Sequence, residues 1–276
     1  MITEEEKYRK LKNKHQDLLN YWDQNNNPCI ICGTNIATEK DHLPPKVLYP
    51  KTLRNSKTEF FTFPVCSECN RRSSDSDYLL SVLMALSLNQ STTTDPDLFA
   101  LREQLEEQLK SSKKAKRRRE LLKPYLEKNP TSEKLAININ KLPVNETITK
   151  IVKSIYWLHS NGDILQNYNP CWWIMDDIDT TKENFIKKHL MTTNHELLWE
   201  NRFISRFSIG SKENGVGGLI SCSLHFYTGK NLGCGNNWFI ITLPTKTLIE
   251  NKSLYDMGVS RFGKPTIYPK MNFIKN

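Results

Sequence analysis

The 276-residue chain has no apolar run near the ~20 residues that a membrane-spanning helix needs, which excludes a transmembrane helix. Nor does an apolar stretch follow its start: MITEEEKYRKLKNKH is charged and polar, so no secretory signal is expected and the expected location is cytoplasmic. There is no internal repeat and no acidic or basic tail. Hydrophobic residues make up only 38%, yet six Trp and eleven Phe suffice to fill a core, which excludes disorder along the whole chain. An even set of cysteines is also missing. There are seven, and an odd number without a secretory signal argues against a disulfide framework.

Charge is present in excess of one sign. The formal net charge is +9 and the pI about 9.1, spread over both halves of the chain. A basic balance of this size attracts polyanions, nucleic acid first among them. The densest positive run is Lys113-Lys114-Ala115-Lys116-Arg117-Arg118-Arg119. It reads as a solvated helix face, as a phosphate-backbone contact or as a nuclear address.

The pattern divides near Lys128-Asn129-Pro130, predicting domains at 1–130 and 131–276. Before that point, residues 3–23 read as a helix opened by a Thr3/Glu6 capping box. Tyr8, Leu11, His15, Leu18, Leu19 and Trp22 recur along it at helical spacing, and Asn25-Asn26-Asn27-Pro28 stops it. Pro44, Pro45, Pro50 and Pro64 exclude a long helix through residues 29–70. Helices are expected again after Cys69 and from Asp95-Pro96, where Asp95 is the N-cap. Beyond the linker, residues 135–140 alternate like a strand and residues 146–159 form an amphipathic helix closed near Gly162. Residues 219–227 and 238–243 read as an antiparallel strand pair. The expected class is α+β.

Four of the cysteines form two CxxC knuckles, Cys29/Cys32 and Cys66/Cys69. Four soft thiolates at this spacing supply the corners of a tetrahedral Zn²⁺ site, and a structural zinc stabilises a segment too short and proline-rich to hold itself together. Cys171, Cys222 and Cys234 share no such spacing and read as small core residues. A plain zinc ribbon leaves ~15–20 residues between knuckles; here there are 33, and they carry Asp41-His42 followed by Pro44-Pro45. A hard oxygen ligand beside an imidazole suits a catalytic pair, a carboxylate for a divalent cation and a His for general-base work. Asn70 opens the helix directly after the second knuckle.

Taken together, residues 29–70 resemble the zinc-stapled HNH endonucleases, built on the ββα-metal fold. These show CxxC, an Asp/Glu-His with a downstream Pro, and a final CxxC followed by Asn or His. With the helical continuation through Ser73, Ser74, Asp75, Asp77 and Tyr78, the resemblance covers about one fifth of the chain and implies an N-terminal ββα-metal core with flanking helices. A C-terminal α+β domain with antiparallel strands would position substrate or sense a partner. Carried over, it implies that Asp41 and Asn70 hold a catalytic Mg²⁺ or Mn²⁺ and that His42 is the general base. The implied activity is phosphodiester hydrolysis in DNA, as in bacterial anti-phage defence or mobile elements. Lys46, Arg71 and Arg72 become candidate phosphate contacts, against a reading as ordinary surface charge. The pattern departs from the family where an Asn normally precedes the last CxxC: residues 59–65 hold none, and Thr62, Glu59 or Asn55 are the replacements in reach. The competing class is a non-catalytic zinc module that binds nucleic acid or protein, with a degenerate HNH core. A protein partner or a homo-oligomer through the C-terminal domain is compatible with both.

Overall fold

The computed structural model describes residues 3–54, 60–86, 96–110, 113–128, 135–137, 143–165, 168–174, 195–199, 203–209, 220–226 and 237–244. Helix α1 spans Glu4–Asn25 and begins as expected, with Thr3 and Glu6 in a reciprocal capping box. It ends at Asn26, whose φ of 48° lies in the left-handed region that short polar side chains tolerate. Strand β1 (Glu39–Leu43) pairs antiparallel with β2 (Phe61–Val65). A short 3-10 turn (Lys46–Leu48) and helix α2 (Lys51–Arg54) lie between them in sequence. Helix α3 (Ser67–Leu86) follows β2 at once, so strand, strand and helix form a small ββα-like unit.

Helices α4 (Pro96–Lys110) and α5 (Lys113–Leu122) come next, and Pro96 stands at the first position of α4 as expected. Its expected cap, Asp95, lies outside the described residues, as do Asn129 and Pro130 of the expected linker. A two-stranded ribbon follows, β3 (Leu126–Lys128) antiparallel to β4 (Leu135–Ile137), the described part of the strand expected over 135–140. Helix α6 spans Asn145–His159 and closes where expected: Gly162 takes φ +97° and donates its N–H to the Trp157 carbonyl at 2.9 Å.

Helix α6 lies past the expected boundary at residue 130, yet it shares the core of the ββα unit. Ile148, Ile151, Val152, Ile155, Trp157 and Leu158 are buried in one cluster with Leu43, Phe63, Val65, Leu79 and Leu83. Trp157 meets Trp22 of α1 edge-on, with ring centroids 5.6 Å apart. Aromatic pairs of this geometry add about 0.5–1.5 kcal/mol beyond their buried area. The N-terminal core therefore extends to Leu165, because the apolar stripe of α6 has its complement on α1 and α3.

The remaining strands are β5 (Tyr168–Ile174), β6 (His195–Trp199), β7 (Phe203–Ile209), β8 (Ile220–Phe226) and β9 (Asn237–Pro244). They form an antiparallel sheet in the order β5-β9-β8-β7-β6. The expected pair near 219–227 and 238–243 is its β8–β9 hairpin, and the mixed helix-and-strand content agrees with the α+β class. Cys171 lies on β5 and Cys222 on β8, while Cys234 is outside the described residues. Among the described residues no helix is long and apolar enough to cross a membrane.

Candidate metal centre and the cavity beside it

The first knuckle turns at Gly33, whose φ of +70° suits a residue without a Cβ. Gly33 donates its N–H to the Cys29 carbonyl at 2.7 Å, and Cys29 donates to the Asn35 carbonyl at 2.7 Å. The second knuckle straddles the junction of β2 and α3, where the Asn70 N–H reaches the Cys66 carbonyl at 3.0 Å. The Ile31 N–H points at Cys29 Sγ (3.4 Å) and the Cys69 N–H at Cys66 Sγ (3.5 Å). Backbone donors aimed at sulfur stabilise thiolates.

The four Sγ atoms of Cys29, Cys32, Cys66 and Cys69 lie within 4.8 Å of one another. A tetrahedral zinc with Zn–S of about 2.3 Å needs sulfurs about 3.8 Å apart, so the group can hold a zinc ion. Burial raises the Cys29 and Cys69 thiols. At Cys32 burial is outweighed by hydrogen bonds from Thr34 and the Asn35 backbone, which bring it down to about 6. Lys153 of α6 donates to the Ile31 carbonyl beside this cluster. Burial lowers its pKa while the neighbouring thiolates oppose that shift. A cation there would offset the negative charge of a metal tetrathiolate.

A zinc held at the β2–α3 junction would fix where α3 starts, and α3 carries the next layer of the site. A cavity of about 400 Å³ is lined by Asp41 and His42 of β1, by Lys46, and by Asn70, Asp75, Asp77 and Tyr78 of α3. Arg117 and Arg118 of α5 form part of its wall. Four sequence-predicted residues, Asp41, His42, Lys46 and Asn70, thus meet in one place. Arg71 and Arg72 are not among the residues that line this cavity. Arg71 is exposed and donates to the Ser67 carbonyl at 3.2 Å, and Arg72 pairs with Glu146 at 3.1 Å. The basic run contributes instead. Arg117 reaches Asp75 Oδ1 at 2.8 Å, and Arg118 stacks 5.1 Å from the Tyr78 ring centroid.

His42 is half-buried, and its pKa is lowered by burial first and by Lys46 second, with Asp41 opposing. It is therefore a neutral imidazole at pH 7. Asp41 Oδ1 accepts the His42 N–H at 2.7 Å, while Oδ2 accepts from Lys150 Nζ at 2.8 Å. The amide nitrogen of Asn70 donates to Glu39 at 2.6 Å, so any ligation by Asn70 would use its carboxamide oxygen.

Two residues beside the site are not among the expected site residues. His15 of α1 is buried, and its Nε2 meets both the N–H and the carbonyl of Thr62, the cross-strand partner of His42. It braces β2 in a region where Thr62, Glu59 and Asn55 were the expected candidates; Asn55 and Glu59 lie outside the described residues. Its only sequence signal is a His inside an apolar stripe. Lys150 of α6 is the second. At 2% exposure it bridges Asp41, Asp77 and Ser73. Breaking such a buried ion pair by removing one partner costs about 3–5 kcal/mol. Burial raises the Asp77 pKa, and Lys150 and Thr147 oppose that.

The buried His15 sets a pH dependence. Burial lowers the pKa of His15, with the Thr62 carbonyl opposing and Lys40 assisting. A His whose folded pKa lies below its unfolded 6.5 takes up protons more readily when unfolded, so its contribution is complete above pH 6.5 and is lost as pH falls. The melting temperature should drop from pH 7 to pH 5, and His15→Gln should flatten that drop. An unchanged slope in the variant assigns the acid sensitivity to other groups.

Comparison of the chain with protein-family models, curated proteins and solved structures finds no match.

Proposed function

We propose that this protein is a metal-dependent endonuclease of the HNH type that hydrolyses phosphodiester bonds in DNA. The observation that carries the reading is the convergence of Asp41, His42, Asn70 and Lys46 on one cavity beside a tetracysteine cluster in a ββα-like unit. His42, neutral at pH 7, accepts a proton from the attacking water. Asp41 and Asn70 hold a Mg²⁺ or Mn²⁺ ion, and their all-oxygen donor set suits a hard cation. Both Asp41 oxygens carry one hydrogen bond each and keep a further lone pair, so ligation is compatible with the contacts present. The bound ion supplies stabilisation of charge developing on the phosphate and the departing 3′ oxygen. Lys46, Arg117 and Arg118 bind the flanking phosphates. A role in bacterial defence, a cytoplasmic location and a protein partner for the C-terminal sheet extend this reading.

Purified protein should nick or linearise plasmid with Mg²⁺ or Mn²⁺, and EDTA should stop it. Arg117→Ala with Arg118→Ala should weaken DNA binding alike on all sequences. The slope of log affinity against log salt should become shallower by about 2, or about 1 for each phosphate no longer neutralised. An unchanged slope returns the run to an ordinary solvated face.

One observation favours a second reading, a zinc module that binds without cutting. The Lys150 ammonium already sits on Asp41, supplying positive charge there without a metal. Under that reading DNA binding persists and cleavage is absent under every divalent ion tested.

A further inference from the structure

The ββα unit ends at Leu86, but the Asp41 carboxylate is held by a residue 109 positions further along the chain. Lys150 is not among the residues that line the large cavity. Asp41 and Asp77 line that cavity of about 400 Å³. Lys150 lines a separate one of about 130 Å³, together with Ile31, Cys69, Arg72 and Ser73. Its ammonium has three donors and three partners here: Asp41 Oδ2 at 2.8 Å, Asp77 Oδ2 at 2.5 Å and Ser73 Oγ at 3.1 Å.

Neighbouring contacts fix the lysine itself. Thr147, one turn earlier on α6, donates its N–H to Ser76 Oγ at 3.1 Å and its hydroxyl to Asp77 Oδ1 at 2.7 Å. Ser154, one turn later, bonds back to the Lys150 carbonyl at 2.7 Å. A polar stripe on α6 thus lies against a polar stripe on α3, inside an otherwise apolar helix contact. Thr147, Lys150, Ser154, Ser73 and Ser76 are all buried. A long side chain normally loses much rotamer freedom on burial, and this one is over-determined by contacts at both carboxylates.

We propose that Lys150 is a positioning residue for the metal-dependent centre, holding the Asp41 carboxylate in its ligating orientation. The inference rests on the nuclease reading. Asp41 has one oxygen on the backbone N–H of His42 and the other on Lys150, so its carboxylate plane is set at both ends. Asp77 accepts from the same ammonium, which Asp41 and Ser73 also hold. The centre is therefore built by β1, α3 and α6 together.

The test separates positioning from simple charge compensation. Lys150→Met combined with Asp77→Asn removes one positive and one negative charge, so the net charge around Asp41 is unchanged. The probe is Mn²⁺ alone, titrated into full-length zinc-loaded protein and followed by electron paramagnetic resonance, so no cleavage is required. The wild type is expected to take up one exchangeable Mn²⁺ per chain. Asp77→Asn alone, which leaves Lys150 on Asp41, should bind within about threefold of wild type. The double variant should keep its zinc and lose at least about tenfold in Mn²⁺ affinity. If it unfolds, Lys150→Gln with Asp77→Asn replaces it with the same expected loss, because Gln is polar but too short to reach. A double variant that binds Mn²⁺ like wild type overturns the positioning role and leaves the nuclease reading standing. An Asp77→Asn protein that loses affinity as fully as the double variant overturns it too, in favour of Asp77 as a ligand. A wild type without exchangeable Mn²⁺ overturns both.

Discussion

His42→Ala should lower plasmid cleavage in Mg²⁺ by ~10²–10⁴-fold, the usual cost of losing a general base. Zinc content should stay at about one per chain. His42 sits at the fourth position of β1, away from the four thiolates, and its N–H bond to Asp41 is a backbone bond that alanine retains. The ring makes an edge contact with Phe60, centroids 6.0 Å apart, so removing it trims packing at a half-buried position and the fold persists. A variant that cleaves at the wild-type rate removes His42 from the mechanism. One that sheds zinc and unfolds makes the residue structural and favours the zinc-module reading. Because the His42 pKa is lowered mainly by burial, cleavage by the wild type should be near its plateau at pH 7 and fall below pH 6.5 as the imidazole protonates.

Cys66→Ser should have the largest effect on folding. Structural zinc contributes about 10–16 kcal/mol of apparent binding free energy, as much as a whole domain's net stability of about 5–15 kcal/mol. Besides the thiolates, the first knuckle has the isolated bridge from Pro28 to Ile36, a few backbone bonds, the Lys153 bond to the Ile31 carbonyl and the burial of Ile30. Cys66 stands between β2 and α3, so losing its thiolate also releases the start of the helix that carries Asn70 and Asp77. Elemental analysis should find less than one zinc per chain, and the melting transition of the N-terminal core should weaken or vanish. One zinc per chain with an unchanged melting temperature overturns the four-thiolate site.

Whatever depends on neighbours in sequence is legible without a structure. The Thr3/Glu6 box, the stop after Asn25, the knuckle spacing and the Gly162 closure each involve residues within a few positions, and each is found in the structure. The β8–β9 hairpin belongs with them. Arg117 and Arg118 reach the cavity through the packing of α4 on α3 and of α5 on α4, which no local pattern encodes. Lys150 is hidden for a different reason. A Thr, Lys and Ser spaced around a helix read as its solvent face, and only the matching stripe of Ser73, Ser76 and Asp77 on α3 reveals that they are buried. The same contact carries the N-terminal core past residue 130, because apolar periodicity marks which face of α6 is buried and leaves open against what.

The ion pair between residues 41 and 150 also has a consequence for biosynthesis. Chains leave the ribosome N-terminus first, at ~5–20 residues per second. Both knuckles, β1 and α3 emerge while α6 is still untranslated, so a nascent chain can bind its metal and close the ββα unit several seconds before Lys150 is available. During that interval Asp41 and Asp77 face each other without their shared ammonium. Under the proposed nuclease function, unfinished and prematurely terminated polypeptides would carry the scaffold of the enzyme without its completed centre.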